Sequence, residues 1–338
     1  MKTRSSRRDG AKGYAHVKIS VRCSSYASAL LCCPAVVSKP TITIVGPGSL
    51  GSALAVSLRR AGYRIREIVA GKSGASKRKG RELAGKTNAH PSTQDDAQLD
   101  AHVIWFCVPD REIANAARAL VPLTDWRGKV ALHSSGALTS DELDVLRRRG
   151  AAVASLHPLM TFVHGSCPAL ADVPFAVEGD AAAVRVIRPI VRDLKGEVFS
   201  ISKQKKAAYH AWGAFTSPLL LALLVAAEEI ARAAGISSTA ARKRMLPIVR
   251  QTIENYTAHG PARAFSGPIV RGDVETVSKH LQALRKAPGA REVYLALAHS
   301  ALRSLPVKNR KLLEKTLREQ DRTHRMNVDG TRRERKRQ

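Results

Sequence analysis

Apolar positions along the chain fall into two regimes. From Thr41 to Ser200 short apolar runs bounded by Gly, Pro and Ser alternate with stretches of helical period; from Lys203 to Ser304 only the helical period remains. Thr41–Val45 (TITIV) is β-branched, as strands favour, and runs into Gly46-Pro47-Gly48-Ser49-Leu50-Gly51, after which Ser52–Ala61 has helical composition and stops at Gly62. Tyr63–Ala70 predicts a second strand, Ser76–Leu83 a helix, and Thr87–Ala89 a weak strand. The unbroken apolar run Val103–Val108 predicts a strand covered on both faces and ends at Pro109-Asp110. Arg111–Leu120 follows as a helix, Lys129–His133 as a strand with Ser134-Ser135-Gly136 as its turn, Ser140–Arg149 as a helix and Ala152–Leu156 as a strand. Phe175–Glu178 and Glu197–Ser200 predict strands flanking a helix over Ala181–Leu194. Helices are then predicted over 203–234, 238–259, 274–286 and 290–304, with Gly235, Gly260 and Pro288-Gly289 between them.

Strands alternating with helices imply a mostly parallel, doubly wound sheet. The expected fold class is therefore an α/β Rossmann domain over 39–200 followed by an all-α helical domain over 201–306. A length of 338 residues supports two domains. Residues 1–38 read as a disordered basic extension; their apolar patch, Ala27–Val37, lies too far from the start for a signal segment. Residues 307–338 read as a basic tail, an amphipathic helix to about Gln320 and then a disordered Arg-rich end.

The net charge of +28 is spread out: eight basic residues against one acid in 1–40, twelve against five in 306–338, and the remaining +14 between. A basic body fits anionic ligands such as a pyrophosphate, and the basic ends fit nucleic acid only in a non-specific, electrostatic way. The five cysteines form no CxxC pair, so neither a zinc site nor a disulfide framework is expected, and a reducing cytoplasm is the expected compartment. The longest apolar run, Pro218–Ala227, ends at Glu228-Glu229, short of the roughly 18 residues of a membrane span. No membrane partner is expected.

Candidate chemistry begins at the glycine turn, which follows a predicted strand and opens a helix, the context that a dinucleotide-binding GxGxxG requires. Gly46 permits the tight turn, Gly48 leaves room for a pyrophosphate, and Gly51 lets helix and strand approach. Pro47, Ser49 and Leu50 complete the loop, and the helix N-terminus offers free amides to phosphate. An NAD site would place an acid near the end of the second strand, whereas this chain has Ala70-Gly71-Lys72-Ser73 with Lys77, Arg78 and Lys79 beyond. Lys72, Ser73 and Arg78 suit a 2′-phosphate, so NADP(H) is favoured over NAD(H); the alternative is a solvated basic loop. The turns Val108-Pro109-Asp110 and Ser134-Ser135-Gly136 should open beside the switch point of the sheet, where nicotinamide and substrate meet. His133 and His157 are candidate proton donors there, or histidines that only hydrogen-bond at strand ends.

The glycine turn, Pro109-Asp110, His133–Leu138 (HSSGAL), His157-Pro158-Leu159, Tyr209-His210 and Gly267–Asp273 (GPIVRGD) with His280 together resemble one family. These are bacterial Rossmann-like oxidoreductases whose helical half is a domain of unknown function, number 2520, and the likeness spans about residues 40–300. That family is similar to 6-phosphogluconate, β-hydroxyacid, pyrroline-5-carboxylate and deazaflavin-linked NADP reductases. The resemblance implies a homodimer formed through the helical domain, NADP(H) in the cleft, and an unidentified small-molecule substrate. It brings in His210, Arg271 and His280 as further catalytic candidates, Arg271 as a bidentate anion holder. Asp273 reads equally as a helix N-cap, and Arg271, Asp273 and His280 as one site or as an internal polar network. Pro218 stands where relatives often carry Asn on the first long helix, and Lys205 and Lys206 read either as a counterpart of the lysine of β-hydroxyacid dehydrogenases or as surface charge. Two functions follow: an NADP(H)-dependent oxidoreductase for a small carbonyl, imine or hydroxyacid, or a non-catalytic NADP(H)-binding sensor or scaffold.

Overall fold

Every residue of Ile42–Val45 (β1) and Val103–Phe106 (β4) is buried, because these neighbouring strands are covered on both faces. The computed structural model describes residues 38–163 and 165–321. The extension 1–37, its apolar patch and the Arg-rich end from 322 lie outside the described residues. From Pro40 onward the described residues form one unit.

The remaining elements of the sheet half are α1 (Ser49–Arg60), β2 (Ile65–Ala70), α2 (Gly74–Thr87), β3 (His90–Thr93), α3 (Ile113–Leu120), β5 (Val130–His133), α4 (Asp144–Arg147), β6 (Ala152–Pro158), β7 (Pro174–Gly179), α5 (Ala181–Asp193) and β8 (Glu197–Ser200). The strands form one sheet in the order β3-β2-β1-β4-β5-β6-β7-β8, parallel throughout except for the antiparallel pair β6–β7. Its first six strands follow the 3-2-1-4-5-6 order of a dinucleotide-binding sheet, with the switch point between β1 and β4. Side chains alternate between two cores: Ile44 and Trp105 join α1 and α5 residues on one face, while Val45, Ile104 and Phe106 meet α3 and α4 on the other.

Two local expectations are corrected. Thr87–Ala89 is not a strand: α2 continues to Thr87 and ends on Asn88 in the left-handed conformation (φ 52°), so the strand starts at His90. Asn tolerates that conformation, and Pro91 is accepted because β3 is an edge strand. The helix expected over Ser140–Arg149 is a 3₁₀ turn followed by the single turn α4.

The helical half comprises α6 (Lys206–Thr216), α7 (Pro218–Ala233), α8 (Ser238–Ala264, broken at Gly260), α9 (Pro268–Arg271), α10 (Val274–Ala283), α11 (Pro288–Ser304) and a final helix α12 over 310–321. Lys203–Ala233 has the length and apolar composition of a membrane-crossing helix. It is not one continuous helix, because Ser217 (φ −128°, ψ −80°) breaks it and Pro218 opens α7, where its missing N–H costs nothing. Leu313 and Leu317 of α12 are fully buried against Val277, Leu281 and Leu302, so the start of the basic tail completes the core of this half.

Candidate functional site at the carboxyl edge of the sheet

The three glycines of the first turn have three different surroundings. Gly46 has φ +104°, and a Cβ there would stand 2.7 Å from the carbonyl oxygen of Cys107. At Gly51 a Cβ would overlap the carbonyl oxygen of Gly46, so only a bare backbone lets α1 start so close to β1. Gly48 is exposed, has an ordinary φ of −73°, and a Cβ on it would meet nothing within 4 Å. Pro47, Gly48, Ser49 and Ser52 line a cavity of about 270 Å³ together with Lys79 and Lys86 of α2. Leu50 is half-buried against the core below. Among the described residues no side-chain hydrogen bond caps the N-terminus of α1.

At the end of β2, Ser73 caps α2 by accepting from the amide of Ser76, while the Ser76 hydroxyl accepts from the amide of Gly71. Lys72 lies 3.8 Å from Asp95 and Arg78 4.0 Å from Glu82, both pairs exposed. Such pairs are weak in water and yield readily to a doubly charged anion.

The turn after β5 is held from below and from the side. Trp105 Nε1 donates to Ser134 Oγ at 2.8 Å. Ser135 Oγ accepts from the amides of Ala137 and Leu138 and donates to Asp110 Oδ2 at 2.8 Å, tying this turn to Val108-Pro109-Asp110 after β4. His133 is fully buried; its Nδ1 accepts from the Ser135 amide at 3.1 Å, which puts the proton on Nε2, bonded to the Thr139 carbonyl at 2.9 Å. Burial pushes its pKa down to about 4. Both His133 nitrogens are thereby bonded within the turn, which leaves neither open to a ligand.

His157, Tyr209 and His210 gather around Gly136. The His157 and His210 rings would stand 2.9 and 2.8 Å from a Cβ on that glycine, so its bare backbone is what lets both rings close over the turn. Tyr209 Oη lies 2.7 Å from His157 Nδ1. Burial pushes the Tyr209 phenol up to about 12 and the His157 imidazole down to about 4, the latter helped by the Lys206 charge. Lys206, one turn before His210 on α6, is 2 % exposed. Its ammonium donates to the Ser135 carbonyl at 2.9 Å and to Ser155 Oγ, and Ser155 donates to the same carbonyl. Burial pushes Lys206 down to about 8, against the pull of Glu178 and Asp110. Lys205 is exposed.

Among the described residues no hydrogen bond or ion pair joins Arg271 or His280 to this cleft. Arg271 is exposed at the end of α9. Gly272 adopts φ +66°, a Cβ on it would overlap the Lys308 carbonyl, and Asp273 caps α10 by accepting from the Thr276 amide at 3.0 Å. Gly267–Asp273 thus folds a helix junction onto the segment leading into α12, also tied by the Lys308 amide to the Val270 carbonyl. His280 Nδ1 pairs with Tyr294 Oη at 3.2 Å. Sequence reasoning undervalued Lys206, Tyr209 and Ser155. The available signal was helical spacing, since Lys206 and Tyr209 are three apart and both buried while Ala207, Ala208 and His210 are exposed.

A parallel 3-2-1-4-5-6 sheet with a glycine turn after β1 defines the class of Rossmann-like proteins. Within this chain, residues 35–158 match the model of a Rossmann-like domain and residues 173–301 that of a domain of unknown function, DUF2520. No curated protein matches it in sequence. Among solved structures it is similar to a candidate NADP oxidoreductase from Bacteroides fragilis, with TM-score 0.65 and 21% identity over 78% of this chain and 97% of that one. A Thermotoga maritima protein has TM-score 0.60 and 23% identity, covering 83% of this chain and 99% of its own. An imine reductase from Myxococcus stipitatus, solved with NADP+, has TM-score 0.59 and 19% identity over 78% and 95%.

Proposed function

We propose that the protein is an NADP(H)-dependent oxidoreductase for a small carbonyl, imine or hydroxyacid substrate, working as a homodimer joined through its helical half. The observation that carries this reading is Gly48: exposed at the uncapped mouth of α1, with nothing where a side chain would be. Gly46 and Gly51 are demanded by the fold, but Gly48 is not, and an approaching pyrophosphate accounts for it. The amides of Gly48 to Leu50 would hold the diphosphate. Lys72, Ser73 and Arg78, with no carboxylate at the end of β2, favour a 2′-phosphate over a free ribose hydroxyl. When bound, the reduced dinucleotide supplies a hydride, with its two electrons, to the substrate carbon.

Among the similar structures one is named an NADP oxidoreductase, and imine reductases from Myxococcus stipitatus are solved with NADP+ and, for a variant, with NAD+, which supports a nicotinamide dinucleotide here. The His157–Tyr209 hydrogen bond offers a pair of groups for proton transfer, which favours an enzyme over a sensor or scaffold. The homodimer is supported by α7, which buries no residue and exposes Leu221 and Val225 at 63 % and 57 %. Free thiols at Cys107 and Cys167 suit a reducing cytoplasm. Thermal unfolding tests the cofactor: NADPH should raise the melting temperature clearly more than NADH, and negligible shifts from both would remove the assignment.

A further inference from the structure

We propose that His157 is the proton donor of this site, acting as a neutral imidazole through its Nε2–H, and that Tyr209 is the positioning residue that keeps the proton on that nitrogen. The inference rests on the reductase reading above and deepens it. A phenol is a far stronger acid than a neutral imidazole N–H, and an imidazole nitrogen a far stronger base than a phenol oxygen. Across the 2.7 Å contact Tyr209 therefore donates and His157 Nδ1 accepts. The ring proton is left on Nε2, the atom that faces the bare position of Gly136 and makes no hydrogen bond among the described residues.

Burial and the positive charges around the ring favour a neutral donor, against the opposing pull of Asp110. Lys206 and His210 from α6 and Asp110 from the turn after β4 face it, and burial together with the Lys206 ammonium holds the ring unprotonated at neutral pH. Lys206 itself is committed to Ser135 and Ser155, beneath the turn, and is not the group presented to the cleft.

The step balances for a carbonyl substrate. As the carbonyl carbon takes the hydride, the π pair of the C=O bond moves to oxygen, and that oxygen takes the Nε2 proton. Nδ1 in turn takes the Tyr209 proton; water then reprotonates Nε2 and Nδ1 returns its proton to the Tyr209 phenolate, which restores the starting tautomer. A substrate that arrives as a protonated iminium gains no anionic atom and needs no such donor, so the arrangement favours carbonyls.

Long-range ¹H–¹⁵N spectra of ¹⁵N-histidine protein test the tautomer without ligand. In the wild type His157 should show a protonated Nε2 and a bare Nδ1 and stay neutral down to about pH 5. Tyr209→Phe should mix the tautomers. An Nδ1–H tautomer in the wild type, or a Tyr209→Phe spectrum unchanged at His157, overturns the proposal. With NADPH and a panel of aldehydes and ketones, His157→Gln should lower kcat by about 10²–10⁴-fold and leave the NADPH-induced thermal shift in place. Undiminished kcat also overturns it. Absence of the thermal shift in the wild type counts instead against the cofactor reading, because the tautomer is decided on the protein alone.

Discussion

Gly48→Val separates the two duties of the glycine turn, since the fold leaves that position empty. The backbone there is extended (φ −73°, ψ −172°), a conformation valine adopts freely, and no atom lies within 4 Å of the new Cβ. The cost to the unliganded protein should stay within the ~0.5 kcal/mol of an ordinary surface change. Two added methyl groups would, however, occupy the approach to the α1 amides. A ligand present at 100 times its Kd stabilises a protein by about 2.7 kcal/mol, several degrees of melting temperature for a chain of this size. That whole shift should vanish with NADPH in the variant. Gly51→Ala is the converse: its Cβ would overlap the Gly46 carbonyl and press on Cys107 Cβ at 3.2 Å, so α1 must move at a cost of about 1–3 kcal/mol. Differential scanning fluorimetry with and without NADPH, backed by circular dichroism, reads both. A full NADPH shift in Gly48→Val, or loss of its fold, would refute the placement of the pyrophosphate.

Acid should weaken the protein through its buried histidines. The folded pKa of His133, about 4, lies below the ordinary 6.5, so the unfolded chain binds more protons in between and stability is lost as pH falls through that window. The loss attributable to this ring is on the order of 3 kcal/mol; urea titrations at pH 7 and pH 4 should show a slope that His133→Leu flattens, and an equal slope in the variant would contradict the buried neutral ring. Gly272→Ala should destabilise by about 2 kcal/mol, since φ +66° and the Lys308 carbonyl both oppose a side chain; an unchanged melting temperature would show that the α9–α10 junction does not depend on that close approach. Leu221→Asp combined with Val225→Asp on α7 should yield monomers in light scattering, and a dimer of unaltered affinity would move the interface elsewhere.

The sheet was legible in the sequence because each strand is a short apolar run closed by a turn, and a strand covered on both faces has no polar alternative. Its weakest strand was misplaced by three residues because Asn88 ends α2 by a left-handed residue that composition does not announce. The glycine turn was legible in the tight turn at Gly46 and in the close helix–strand approach at Gly51. The proton donor was not. His133 and His157 both close apolar strand runs, and what separates them is the partner of Nδ1: a neighbouring amide for one, a phenol 52 residues away for the other.

The same contrast explains why the most distinctive segment, Gly267–Asp273, serves within this chain to build a junction. A left-handed glycine under a carbonyl, an aspartate cap and a short helix between them admit few substitutions, so a conspicuous motif can arise from backbone geometry alone. Gly136 shows the reverse. It looks unexceptional in the sequence, yet a methyl there would strike both His157 and His210. Gly136→Ala should therefore displace both rings from the turn and shift the His157 imidazole resonances. Resonances that do not move would show that the rings are held by something other than the room this glycine leaves.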